Sequence, residues 1–127
     1  AKAIRAHFTA FDLIEGEGLS INFPIELRVA AADDIPLSTA QGRETGYLAV
    51  HLSAGTPFEP YFRGVEAIMD DVGGRPHWGK MHYQRAETLA PRYPEWARFQ
   101  AVRARLDPDG RFRNPYLDRV LGPVASP

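Results

Sequence analysis

The sequence predicts an α+β fold, a small and mainly antiparallel sheet with helices on one face. Three observations carry this. Two stretches, around residues 25–29 and 47–53, alternate aliphatic and polar residues with the period of a strand. Two others, within residues 2–15 and 58–72, repeat apolar residues at spacings of three and four, the period of a helix. With 127 residues and 44% hydrophobic content, the chain has enough material for one core.

The elements follow in order. Ile4, His7, Phe8, Phe11 and Ile14 form the stripe of a short opening helix, which Gly16 and Gly18 end. Residues 19–31 read as a strand with Ile25, Leu27 and Val29 on one face and Glu26 and Arg28 on the other. A turn-rich stretch runs from Asp33 to Gly46. A second strand spans residues 47–53, with Leu48, Val50 and Leu52 facing one way and Tyr47, Ala49, His51 and Ser53 the other. Pro57 suits the first turn of a helix whose stripe is Phe58, Phe62, Val65, Ile68, Met69 and Val72, stopped by Gly73-Gly74. A short third strand is expected over Arg75–Lys80. Pro94 opens another helix, with Trp96, Phe99, Val102 and Leu106 inward and Arg98, Arg103 and Arg105 solvated. Asp107-Pro108-Asp109-Gly110 has strong turn chemistry, and the polar tail to Pro127 ends in a Gly-Pro and Ser-Pro stretch that is expected to fray.

Composition excludes several functions. A net charge of -1 gives no basic surface for nucleic acid, and the absence of cysteine removes disulfides and thiolate metal sites. No apolar run approaches the ~20 residues of a membrane-spanning helix, and no signal-peptide layout opens the chain, so a cytoplasmic setting without membrane association is expected. There is no Walker loop, GxGxxG or nucleophile elbow, so no recognised motif cradles a dinucleotide.

If the two strands pair, Glu26, Arg28, His51 and Ser53 converge on the face opposite the aliphatic one. A carboxylate, a permanent cation, an imidazole and a hydroxyl can bind a polyhydroxylated substrate and move its protons. Spacing by itself favours the plainer alternative, a solvated face with an ion pair of little energetic weight. On a strand, Trp78 and Lys80 would share a face, the indole shielding the ammonium, with Gly79 allowing close approach to the backbone. A lysine snorkelling over a tryptophan is again the plainer reading. Asp33 and Asp34 are read as an Asx-type turn or cap rather than a metal pair. His51, His77 and His82 lack the register of a zinc site, and no metal is expected.

Several segments together resemble one family: Asn22-Phe23-Pro24-Ile25-Glu26-Leu27-Arg28, Ala31 to Ser38, Arg75-Pro76-His77-Trp78-Gly79-Lys80, and Leu106 to Phe112 with Asn114 and Tyr116. The chain is similar to the carboxyl-terminal region of D-arabinono-1,4-lactone and L-gulono-1,4-lactone oxidases, with alditol (xylitol) oxidases as close relatives. The resemblance covers almost the whole chain and is weakest over residues 1–18. It implies a flavoprotein of the vanillyl-alcohol-oxidase type, whose amino-terminal domain binds FAD and whose cap domain supplies the substrate side. Residues 1–127 would then be a single domain. About 1–90 form part of the cap, about 91–127 a carboxyl-terminal helix and tail, and the FAD-binding domain is missing.

What the resemblance implies for individual residues is a catalytic set of Glu26, Arg28, His51 and Lys80. Ser53, Trp78 and Gly79 would contact or shape the substrate, and Arg28 and Lys80 would also face the cofactor. The expected cofactor is FAD, bound mainly by the missing domain, so the chain alone should be colourless and inactive. Expected partners are a sugar lactone or alditol, the flavin domain, and a second copy pairing with an open sheet edge. Two other classes compete: a noncatalytic sugar-binding or oligomerisation module, and a small metal hydrolase using His51, His77 or His82. The presence of all four proposed catalytic residues favours the oxidoreductase.

Overall fold

The computed structural model describes residues 2–19 and 21–124. Its elements are α1 (Lys2–Gly16), β1 (Glu26–Ala30), β2 (Thr45–Ala49), α2 (Glu59–Asp71), α3 (Ala86–Leu89), a 3-10 turn (Ala90–Arg92), α4 (Trp96–Leu106) and α5 (Pro115–Leu121). The two strands form an antiparallel ladder in which Glu26 faces Ala49 and Arg28 faces Tyr47. The fold is thus the small α+β arrangement expected. No helix among the described residues is long and apolar enough to cross a membrane.

One buried cluster joins α1, α2 and the sheet. Ala10, Ile14, Tyr61 and Val65 are buried at its centre, and Ile25, Leu48, Val50 and Leu52 pack against them. The aliphatic sheet face therefore meets the helices as its alternation demands, but only at one end, because Val29 is 85% exposed. In α1 the buried side shares Ile14 with the predicted stripe but is otherwise different. Ala6, Ala10 and Ile14 are buried, while Phe8 is 63% exposed and Ile4 and Phe11 also face outward. The helix packs closely on α2, where a Cβ at Gly64 would lie 2.5 Å from Leu13 Cδ2.

A second cluster has Leu89, Tyr93 and Val120 at its centre, with Leu37, Trp78, Trp96, Tyr116 and Leu117 packed around them. The single core expected from size is therefore two buried clusters. The polar tail forms α5, whose Val120 is fully buried, ahead of the Gly-Pro and Ser-Pro stretch expected to fray; residues 125–127 lie outside the described residues. Asn114 caps α5 by accepting the Leu117 N–H at 2.9 Å, and Pro115 follows at its first turn. In α4 no residue is buried, and the predicted inward Val102 and Leu106 are exposed. Its working contacts are polar: Gln100 Nε2 donates to the Leu121 carbonyl at 2.6 Å and Arg103 Nη1 to Gly122 at 2.9 Å. Arg103, expected in solvent, serves the orphan carbonyls at the end of α5.

Polar side chains link the clusters. Glu66 of α2 accepts the Tyr83 N–H at 2.8 Å and Gln84 Nε2 at 2.5 Å, while Asp70 pairs with Arg92 at 2.9 Å. These bonds hold the 82–92 segment against α2.

Candidate functional site

The strand face predicted from alternation is present in part. Glu26 and Arg28 project from the same side of β1, and Arg28 Nε and Nη2 both donate to Glu26 Oε1, at 2.8 and 2.6 Å. Both side chains are solvent-exposed, Arg28 at 70%. Such a pair contributes little stability, so its value lies in orientation. Among the described residues, no other group bonds Glu26 Oε2 or Arg28 Nη1, and both atoms remain available to a ligand.

β2 ends at Ala49, so His51 and Ser53 sit in the chain beyond the ladder rather than on the expected strand. The Ser53 N–H donates to Asn22 Oδ1 at 3.1 Å, which keeps this stretch beside the approach to β1. His51 is exposed, its ring centroid 6.5 Å from that of Phe23. Among the described residues, no hydrogen bond joins the His51 or Ser53 side chain to Glu26 or Arg28.

The third strand over Arg75–Lys80 does not form. The Lys80 N–H donates to the His77 carbonyl at 3.0 Å, and Gly79 N–H to His77 Nδ1 at 3.0 Å, making a turn in which two-residue parity no longer applies. Pro76 has no N–H to give to a ladder. Strand parity therefore no longer relates Trp78 to Lys80. The indole packs on Tyr93, centroids 5.2 Å apart, and donates from Nε1 to the Leu37 carbonyl at 2.9 Å. Leu37 makes that carbonyl available at φ 59°, in the left-handed region. Lys80 is exposed. Arg75 proves structural: its Nε and Nη1 donate to the carbonyls of Arg92 and Gln41, both at 2.7 Å. Burial, and secondarily Arg43, hold its pKa below the ordinary arginine value.

Lys80 lines an open groove of about 490 Å³ together with Trp78, Gly79, Met81, His82 and Tyr83, and with Tyr116 and Arg119 of α5. Glu26, Arg28, His51 and Ser53 do not line it, so the proposed catalytic residues occupy two places rather than one. His82, weighed above as a metal ligand, is buried, and its Nε2 lies 3.0 Å from the Tyr116 hydroxyl. Burial, reinforced by Arg119 and opposed by Glu66, lowers its pKa. Among the described residues no cluster of three metal-ligating side chains exists. Asp33 makes the expected turn, accepting the Ile35 N–H at 3.1 Å and the Ser38 hydroxyl at 2.5 Å. Arg119 was missed from sequence; Asn114-Pro115, a cap followed by a first-turn proline, was the signal that would have disclosed its helix.

Comparison with known proteins gives a consistent picture. The profile of the D-arabinono-1,4-lactone oxidase family matches residues 4–120. An L-gulono-1,4-lactone dehydrogenase of Mycobacterium tuberculosis is 63% identical over 112 residues, covering 88% of this chain and 26% of that protein. An L-gulonolactone oxidase of Bos taurus is 38% identical, covering 79% of this chain and 24% of that protein. An alditol oxidase of a Streptomyces species is 37% identical, covering 76% and 23%. The chain thus spans about a quarter of the length of these relatives.

Proposed function

The chain belongs to the D-arabinono-1,4-lactone oxidase family, and from that premise we propose that it is the substrate-side portion of an FAD-dependent oxidoreductase. The reaction would oxidise an alcohol of an aldono-1,4-lactone, and the chain alone would be inactive. The observation that carries this reading is the Glu26–Arg28 pair, exposed and oriented with Oε2 and Nη1 open to a hydroxylated ligand.

The donor set fits one part of the cofactor. Two exposed cations, Arg28 and Lys80, suit the edge of a ring that becomes anionic on reduction, whereas no glycine-rich motif here suits a pyrophosphate. FAD would therefore be held mainly by the family's amino-terminal domain. The chemistry it would supply there is that of a hydride acceptor for the alcohol carbon.

The chain's own residues have separable tasks. His51 takes the hydroxyl proton, a role that suits an imidazole near neutral pH. Arg28 and Lys80 stabilise the alkoxide as its charge develops, where fixed cations act most strongly once water is excluded. Glu26 orients Arg28 and the reacting hydroxyl, Ser53 hydrogen-bonds the substrate, and Trp78 and Gly79 shape the wall. The rest of the protein would bring the sheet face and the Lys80 groove to bear on one substrate.

The name of the Mycobacterium relative, a dehydrogenase, favours an electron acceptor other than oxygen. The Streptomyces relative supports an alditol as the alternative substrate. In the whole protein carrying this chain, Lys80→Ala and Arg28→Ala should each lower kcat on L-gulono-1,4-lactone by roughly a hundredfold. Turnover unchanged by either substitution removes that residue from the mechanism.

A further inference from the structure

We propose that Tyr116 is a positioning residue for Lys80, holding the turn that carries the ammonium from both sides; the proposal rests on the role given to Lys80 above. The Tyr116 hydroxyl donates to the carbonyl of Trp78, two residues before Lys80. It also meets Nε2 of His82, two residues after, at 3.0 Å. One oxygen therefore spans the turn.

The direction of these bonds follows from proton counting. A carbonyl only accepts, so the single hydroxyl proton goes to Trp78, and the His82 bond must run from Nε2–H to the tyrosine oxygen. That choice leaves Nδ1 bare, which matches a buried Nδ1 with no partner among the described residues. A neutral His82 is what its surroundings favour, since burial disfavours the imidazolium and Arg119 repels it. The staple is thus intact in the neutral state.

α5 supplies the rigid support. Val120 is fully buried, and Arg119 donates from Nη1 to the carbonyls of His82 at 3.0 Å and Gln84 at 2.7 Å. Its guanidinium carbon lies 5.3 Å from the Tyr116 ring centroid. Among the described residues Lys80 is tied only by its N–H to His77, and its exposed four-carbon stem takes its origin from the backbone beneath it. Where a cation acts at a reacting atom, displacement of that origin by an ångström is costly in rate.

The test uses the whole protein in four forms, wild type, Tyr116→Phe, Lys80→Ala and the double variant, with L-gulono-1,4-lactone as the probe substrate. Phenylalanine keeps the ring and removes only the two bonds. Tyr116→Phe should lower kcat on the order of tenfold with a smaller change in KM, and cause no further loss in the Lys80→Ala background. Amide hydrogen exchange over residues 79–81 should also quicken. Equal losses in both backgrounds, or unchanged exchange, would overturn the proposal. If Lys80→Ala retains full turnover, the function assigned to Lys80 fails, and the exchange measurement alone then decides whether Tyr116 holds the turn. Should Tyr116→Phe not fold, His82→Phe, which removes the Tyr116–His82 bond, enters the same cycle with the same expectation.

Discussion

Arg75 Nε donates to the carbonyl of Arg92 at 2.7 Å, joining the start of the Arg75–Lys80 run to the end of the 3-10 turn. The same guanidinium reaches the Gln41 carbonyl at 2.7 Å and lies over the Tyr93 ring at 4.9 Å. A single planar fork thus fixes three segments far apart in sequence. Arg75→Lys keeps the charge but cannot reach two divergent carbonyls or stack on the ring. It should cost roughly 1–3 kcal/mol, read as a lower urea midpoint at unchanged m-value.

Beneath that guanidinium, Tyr93 is buried and its hydroxyl has no partner among the described residues. Removing an unmet polar atom relieves a desolvation cost without losing a bond. Tyr93→Phe should therefore stabilise the protein by about 1 kcal/mol, measured by urea denaturation at neutral pH. Burial, partly offset by Arg75, Arg43 and Arg92, also pushes the Tyr93 pKa up to about 12. Because the folded state holds this proton more tightly than the unfolded chain, stability falls as pH rises from about 10 towards 12. Tyr93→Phe should remove part of that alkaline decline.

His82 imposes an acid limit of the opposite kind. Its folded pKa lies below the ordinary imidazole value of 6.5, so the unfolded chain binds its proton first as pH falls. The stabilisation is complete above that value and is lost as pH drops through the folded pKa. His82→Gln, which keeps a side-chain N–H near Tyr116, should flatten this component. The gap in Tm between wild type and variant narrows from pH 7 to pH 5; a gap independent of pH would refute the assignment.

Gly64 provides a packing test. An added Cβ there meets Leu13 Cδ2 at 2.5 Å, the far end of a flexible side chain, so Leu13 must shift and that shift offsets the gain in helix propensity of roughly 1 kcal/mol from glycine to alanine. Gly64→Ala should change stability by less than about 0.5 kcal/mol in the native background. In a Leu13→Ala background the obstruction is gone, and the same change should stabilise by about 1 kcal/mol. Equal effects in the two backgrounds would show that α1 and α2 are not packed through these residues.

Local patterns were legible where one residue's surroundings are set by its near neighbours. The alternation through Ile25–Val29 correctly put Glu26 and Arg28 on one face, and the proline and glycine signals bounded α2. The Asp33 turn followed from an acid able to reach its own backbone two residues on. The apolar stripe of α1 was right at Ile14 and misled elsewhere, because helical spacing cannot say whether Phe8 or Ala10 faces the packed interior. Likewise Asn114-Pro115 signalled a helix start that the polar tail composition concealed.

The sequence by itself determined the fold class, the paired strand face and, through its ordered motifs, the family, since each depends on residues close in the chain or on motif order. Tertiary structure alone decided that the Trp78 indole packs on Tyr93 while Trp78 and Lys80 line one groove. It also decided that Tyr116 bridges the two ends of that turn. Those outcomes depend on bonds spanning 34 to 41 residues, from Trp78 to Leu37 and from Tyr116 to Trp78 and His82. Such bonds leave no periodic trace, because their energy depends on where distant backbone atoms come to rest, and folding alone brings those atoms together.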